Sequence, residues 1–295
     1  MEEVEKQLKR LVKEVGYDPV EKLFEKLSGG KRLRAKLILK IAGESESSAL
    51  LAAIVEMIHA ASLLHDDVID DAMLRRGQAS VNATEGSKVA VMLGDILYSK
   101  AFGELVGFGE EIAKTIASSV TALSVGEMMD VDLAKSFNAD EKKYLEMLYL
   151  KTATLIEAAA ASAALLAGKE KDKYALYGKN LGLSFQIIDD ILDIIADEET
   201  LGKPAMNDYT EGKVTLPYIY LFNSLDESER ERLLSLHAKK LSDEDVEWIR
   251  ERMHEHHAVE KAYAIAKELS DEAKSAVKGE NELAGILDKM IQRSY

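Results

Sequence analysis

Only three prolines, Pro19, Pro204 and Pro217, interrupt 295 residues in which apolar side chains keep recurring at i, i+3 and i+4. Proline stops a helix because its ring locks φ and removes a backbone donor, so a chain this poor in it can be helical along most of its length. The long windows are rich in Ala, Leu, Glu and Lys, which lose little on entering a helix. Strictly alternating runs of β-branched residues are absent. An all-α bundle follows. No Pro-, Gly- or Ser-rich linker divides the chain, so residues 1–295 read as a single domain, long enough for a sizeable core.

Charge and composition then remove whole classes of function. With 38 basic and 53 acidic residues the net charge is −15, which argues against a nucleic-acid backbone or an anionic membrane surface as principal partner. The absence of cysteine rules out disulfides and thiol catalysis. The opening MEEVEKQLKR reads as a charged amphipathic helix and not a signal peptide. The longest apolar run, residues 156–168, carries Glu157 and is too short to span a bilayer. A soluble, cytoplasmic protein is expected.

Two acidic clusters stand out in this helical frame. LLHDDVIDDAMLRRG holds Asp66, Asp67, Asp70 and Asp71, and FQIIDDILD at 185–193 holds Asp189, Asp190 and Asp193. Both read D-D-x-x-D. Positions i and i+4 stack on one helix face, so Asp66 with Asp70, and Asp189 with Asp193, should each form an acidic claw. Neither has a basic residue within its own five positions. Each is flanked by apolar residues (Leu63, Leu64, Val68 and Ile69; Ile187, Ile188, Ile191 and Leu192), unlike a solvated acidic face. Two such clusters at one cavity would repel unless a hard divalent cation lay between them. Magnesium takes one or two carboxylates and leaves its other positions to water and phosphate oxygens, so the implied ligand is a diphosphate.

Basic and polar residues around the clusters fit that ligand, each with a plainer alternative. Gly29-Gly30 breaks the helix ahead of Lys31, Arg32 and Arg34, which could bind an anion or could simply begin an ordinary basic helix. His59 lies two turns before Asp66 on the same face. Arg75-Arg76-Gly77 follows the first cluster, and its two guanidinium groups could equally balance Asp70 and Asp71. Lys151 stands among apolar neighbours and needs an anionic partner or solvent. Thr152, or a loosened carbonyl beside it, could aim a dipole at a carbocation. The carboxamide oxygen of Gln186 could stabilise positive charge beside Asp189 and Asp190. Lys203 and Lys213 lie on a polar loop. Glu127, Asp130 and Asp132 read as surface or capping charges without chemistry, and His254, His256 and His257 as solvated. The small alanines of 158–164 leave room along their helix.

LLHDDVIDDAMLRRG, GGKRLR at 29–34, KTA at 151–153, FQIIDDILD and GKPAMND at 202–208 resemble the trans-isoprenyl diphosphate synthases, the polyprenyl synthetase family. They keep that family's order and spacing over roughly 29–217, departing slightly at Ala205-Met206-Asn207. The resemblance implies an all-α, type I isoprenoid-synthase-like bundle around a deep central cavity. It implies a prenyltransferase that adds isopentenyl diphosphate head-to-tail to an allylic diphosphate. Two or three Mg2+ ions would be held by Asp66, Asp67, Asp70, Asp189 and Asp190. Lys31, Arg34, His59 and Arg76 would bind isopentenyl diphosphate. Arg75, Lys151, Thr152, Gln186, Lys203 and Lys213 would bind the allylic diphosphate, with Lys151, Thr152 and Gln186 nearest the chemistry. A homodimer is expected.

Product length is read from Ala61 and Ser62, five and four residues before the first aspartate. The family's short-chain members place an aromatic floor at one of these positions. Here both are small, which implies a chain of about C30 to C40, a quinone side-chain precursor. A floor from Tyr98 or Phe102 would instead give geranylgeranyl diphosphate. A class I terpene cyclase would carry a different second metal motif, and a silent regulatory subunit of a heteromeric synthase would commonly lose one claw.

Overall fold

The computed structural model describes residues 1–27, 30–75, 77–195 and 206–292, and about four fifths of them lie in helices. Glu2–Lys13 (α1) and Asp18–Lys26 (α2) are separated by Gly16, whose φ of +74° allows the reversal. Leu33–Ala42 (α3) and Glu46–Ile69 (α4) follow, the latter opened by a capping box in which Ser45 and Ser48 satisfy each other's backbone N–H groups. After a hairpin of two-residue strands, Leu74–Arg75 (β1) against Gln78–Ala79 (β2), come Val81–Glu85 (α5), Ser87–Leu105 (α6) and Glu110–Leu133 (α7). Glu141–Leu148 (α8) runs through a π-helical turn at Tyr149–Ala153 into Thr154–Leu166 (α9), and Lys171–Ile195 (α10) carries the second acidic cluster. Beyond it lie Asn207–Thr210, Leu216–Ser224, Glu227–Leu236, Asp243–Glu255, Ala258–Ala276 and Asn281–Ile291.

The chain gathers into two compact units, Met1–Val120 with Glu157–Ala175, and Thr121–Ile156 with Leu176–Tyr295. In the first, α4 packs against α1, α3 and α6. Its residues Ile54, Val55, Met57, Ile58 and Ala61 are fully buried. Among the described residues one helix, α4, is long and apolar enough to cross a membrane, but 78% of its most apolar window is buried inside the protein, as suits a core helix. The core of the second unit joins Tyr144, Ile187, Ile191 and Leu216 to an aromatic group in which Tyr209 stacks on Tyr218 with centroids 4.2 Å apart.

Candidate active site

The first aspartate motif ends α4. Asp66 lies in the last turn, Asp70 is the C-cap, and Asp71 leaves the helix with a left-handed φ of +48°. The last turn has no basic residue, so these carboxylates crowd the negative end of the helix dipole. Asp66 is half-buried and Asp70 exposed, whereas Asp67 is 2% exposed. Arg75, delivered by the β-hairpin, donates to Asp67 Oδ1 from Nε at 2.6 Å and places Nη2 at 2.5 Å. The expected alternative balance with Asp70 and Asp71 is therefore corrected: the partner of Arg75 is Asp67, eight residues back. Arg76 lies outside the described residues.

Three cations flank the start of α3, and they divide by role. Arg32, left-handed at φ +50°, donates to Glu5 at 3.0 Å and to Glu56 at 3.4 Å. Glu56, buried on α4, also accepts the N–H of Ala35 at 3.0 Å and so caps α3 from a neighbouring helix. Arg34 differs. Its Nε is buried and has no hydrogen-bond partner among the described residues. Burial lowers its pKa from the ordinary value, and Glu56 opposes the shift. A guanidinium with an unmatched buried donor suits an incoming anion. Lys31 is exposed, and His59 is half-buried one turn along α4 from Glu56. Ala61 and Ser62 are buried on the same helix, with Ser62 donating to the His59 carbonyl at 2.9 Å.

Of the second motif, Asp190 lines a cavity of about 200 Å³ in its own unit, together with Tyr144, Lys151, Thr152, Gln186, Lys213 and Thr215. The π turn carries Lys151 and Thr152 to its wall. Two glycines make room for that widened turn. A Cβ at Gly126 of α7 would run into the Lys151 backbone, and one at Gly182 of α10 into Ala153. Lys151 Nζ lies 2.5 Å from Asp130 and 3.0 Å from Glu127. Burial alone would lower its pKa, but Asp130 and Glu127 push it up to about 12. Glu127 and Asp130, expected on the surface, are in fact 5% and 7% exposed and serve as the counter-charges that let Lys151 be half-buried. Asp132 is exposed and pairs with Lys135.

A chain of donors leads from the π turn to the motif. Thr152 Oγ1 donates to Gln186 Oε1 at 3.2 Å, and Gln186 Nε2 donates to Asp190 Oδ1 at 3.0 Å. The carboxamide oxygen of Gln186, expected to face a positive centre, is thus turned to Thr152. Tyr144 O–H donates to Asp190 Oδ2, and Leu216 N–H approaches the Tyr144 oxygen. Burial and then the Asp208 carboxylate push the Asp190 carboxyl up to about 8, against the bonds from Tyr144 and Gln186. Asp189 is half-buried.

The expected claw of Asp189 with Asp193 is corrected as well. Asp193 is 2% exposed and its Oδ2 accepts the N–H of Asp208 at 3.1 Å, while its carbonyl accepts Met206 N–H. It holds the backbone at Met206 and Asp208. Lys213 lines the cavity and pairs with Glu211 at 2.9 Å; Lys203 lies outside the described residues. Sequence reasoning missed Tyr144, Asp208, Glu127 and Asp130. The spacing of Tyr144, seven before Lys151, was the one available hint.

The donor set fits magnesium better than a metal that needs a full protein cage. Among the described residues no three His, Asp or Glu side chains converge into one. Magnesium commonly takes one or two carboxylates and completes its shell with water and substrate phosphates.

Comparison with known proteins identifies the family to which the chain is similar. The profile of the polyprenyl synthetase family matches residues 14–253. The crystal structure of octaprenyl pyrophosphate synthase from Helicobacter pylori is 42% identical, with a TM-score of 0.92 over 99% of this chain and 96% of that one. A polyprenyl synthase from Caulobacter crescentus, crystallised with calcium and isoprenyl diphosphate, is 31% identical with a TM-score of 0.87, covering 99% of this chain and 94% of that one. A short chain isoprenyl diphosphate synthase of Methanothermobacter thermautotrophicus is 36% identical over 91% of this chain and 88% of its own length.

Proposed function

The chain belongs to the polyprenyl synthetase family and is a trans-prenyltransferase, and on that premise we propose that it condenses isopentenyl diphosphate head-to-tail with an allylic diphosphate, using magnesium, to a chain of about C30 to C40. The observation that supports this most is the cavity wall where two ammonium groups, Lys151 and Lys213, adjoin the Asp190 carboxyl. A metal diphosphate needs anion-binding and cation-binding groups side by side.

The hard step is ionisation of the allylic carbon–oxygen bond, so stabilisation is needed where negative charge grows on the leaving diphosphate. Asp66, Asp70 and Asp189, with the buried Asp67 and Asp190, would hold magnesium, which when bound neutralises that charge. Lys151 and Lys213 add fixed positive charge, and Lys151, with its pKa near 12, carries it throughout the physiological range. Arg75 and Lys203 belong to the same group of allylic-diphosphate ligands. The π turn would supply the dipole beside the allylic carbons, with Thr152 of that turn held by Gln186. The isopentenyl diphosphate is held by Arg34, Lys31, His59 and Arg76; its double bond attacks the cation, and the departing pyrophosphate takes the released proton. The enzyme acts in the cytoplasm as a homodimer, a state supported by the exposed Val125, Met128 and Val131 along one side of α7.

A C20 product is the second reading. Tyr98 is tilted against His65 with centroids 5.6 Å apart and stacks on Phe102 at 6.1 Å. Desolvation and then Asp66 raise its hydroxyl pKa, and His65, which the ring meets, is the residue before Asp66. Such an aromatic pair could close the tail's path.

The test is turnover of purified protein with labelled isopentenyl diphosphate and primers of increasing length, read by reversed-phase chromatography. Ala61→Tyr or Ser62→Phe should shorten the product to C15 or C20, and unchanged products in both would refute the gate. Lengthening by Tyr98→Ala instead would favour the second reading. Arg34→Ala and His59→Ala should raise KM for isopentenyl diphosphate more than for the primer, and Lys203→Ala the reverse.

A further inference from the structure

We propose that the hydroxyl of Thr215 is a further ligand of the allylic diphosphate, an inference that rests on the function proposed above. Thr215 is the N-cap of the helix Leu216–Ser224. A threonine there normally turns its oxygen onto the free N–H groups of its own first turn. Thr215 makes no such bond. Its side chain is only 5% exposed, and its Oγ1 is enclosed without a hydrogen-bond partner among the described residues. Buried hydroxyls are nearly always paired, so an unmatched one points to a partner acquired in the working state.

Its surroundings say what that partner is. Thr215 forms part of the cavity wall with Lys151, Thr152 and Lys213. The positive end of a helix dipole meets the wall at the same place, a natural anion site. Leu216 N–H is directed to the Tyr144 oxygen and Pro217 has no N–H, which leaves the Thr215 hydroxyl as a donor that can serve a ligand at this terminus. A phosphate oxygen drawn in by the two ammonium groups is the acceptor that matches it.

The test uses Thr215→Val, which exchanges the hydroxyl for a methyl of the same shape. In ligand-free protein the change removes an unmatched polar atom, so Tm should hold or rise. With magnesium and inorganic pyrophosphate added, the rise in Tm seen for the wild type should shrink. KM for the allylic diphosphate should increase about tenfold, as for a lost bond to a charged group, and KM for isopentenyl diphosphate should stay within about twofold. Thr215→Ser, which keeps the hydroxyl, should behave as the wild type. A valine variant with the wild-type pyrophosphate shift and allylic KM overturns the inference. So does one with a lower ligand-free Tm and equal rises in both KM values, because the hydroxyl would then be structural. Wild-type protein that neither responds to magnesium pyrophosphate nor extends a primer would overturn the proposed function, and the inference with it.

Discussion

Asp67 and Asp190 hold the same place in their motifs, the second aspartate, and are buried alike at 2% and 4% exposure, yet different partners meet their charge. Asp67 receives a guanidinium, that of Arg75. Asp190 receives neutral donors, the Tyr144 hydroxyl and the Gln186 amide, with Asp208 nearby. Their third members diverge too. Asp70 is exposed at the frayed end of α4, whereas Asp193, inside the last turns of α10, is locked onto Asp208 N–H. A motif that ends a helix offers its last carboxylate to solvent. The same letters inside a helix can commit that carboxylate to packing.

The largest expected effect concerns what the motifs share. Asp66→Ala and Asp189→Ala should each lower turnover by about a thousandfold or more, the scale of lost transition-state electrostatics, with stability changed by about 0.5 kcal/mol or less. Near wild-type turnover in either would leave that motif without a catalytic role.

Stability should then separate the motifs. Arg75→Ala strands the Asp67 carboxylate, and the loss in denaturant unfolding should be about 2 kcal/mol, below the 3–5 typical of sealed pairs, because the Arg75 side chain is 34% exposed. Tyr144→Phe should cost about 1 kcal/mol, one hydrogen bond, since Asp190 can retain its proton. Equal losses would break the contrast between charged and neutral compensation.

The third members give a smaller difference. Asp193→Ala frees the Asp208 N–H and should cost about 1–2 kcal/mol, while Asp70→Ala should stay within about 0.5 kcal/mol. Equal costs, measured by chemical denaturation, would mean that helix position does not separate them.

The smallest effect is a slope with pH. In metal-free protein burial and the Asp208 carboxylate push the Asp190 carboxyl up to about 8, well above the usual carboxylate range. The folded state holds this proton more tightly, so its stabilising effect is full below the unfolded pKa and is lost as pH rises toward 8. Denaturation midpoints between pH 5 and 8, about the span of that loss, should fall less steeply in Asp190→Asn than in the wild type.

Much of this enzyme was legible along the chain. Helical periodicity marked the break between α1 and α2 and the long α4, and the two D-D-x-x-D motifs were readable as sequence, one closing α4 and the other in α10. The need of Lys151 for an anionic partner was also legible, because an ammonium among apolar residues demands one. That Glu127 and Asp130 are the partners was not, and those two residues were read as surface charges. Nor was the division of labour between Arg32 and Arg34, since it depends on Glu56 reaching across from α4.

The sequence by itself determined the helices, their caps and the side-chain inventory of the site, because these rest on interactions within about one or two turns. The tertiary structure decided who pairs with whom. Lys151 and Asp130 are 21 residues apart and Tyr144 and Asp190 are 46 apart, so their meeting depends on which helices pack together. The widened turn at Lys151 shows the same dependence, resting on glycines 126 and 182 in two other helices. Burial supplied the last element: it raised the Asp190 pKa and left the Thr215 hydroxyl without a partner among the described residues, by removing water that no local pattern records.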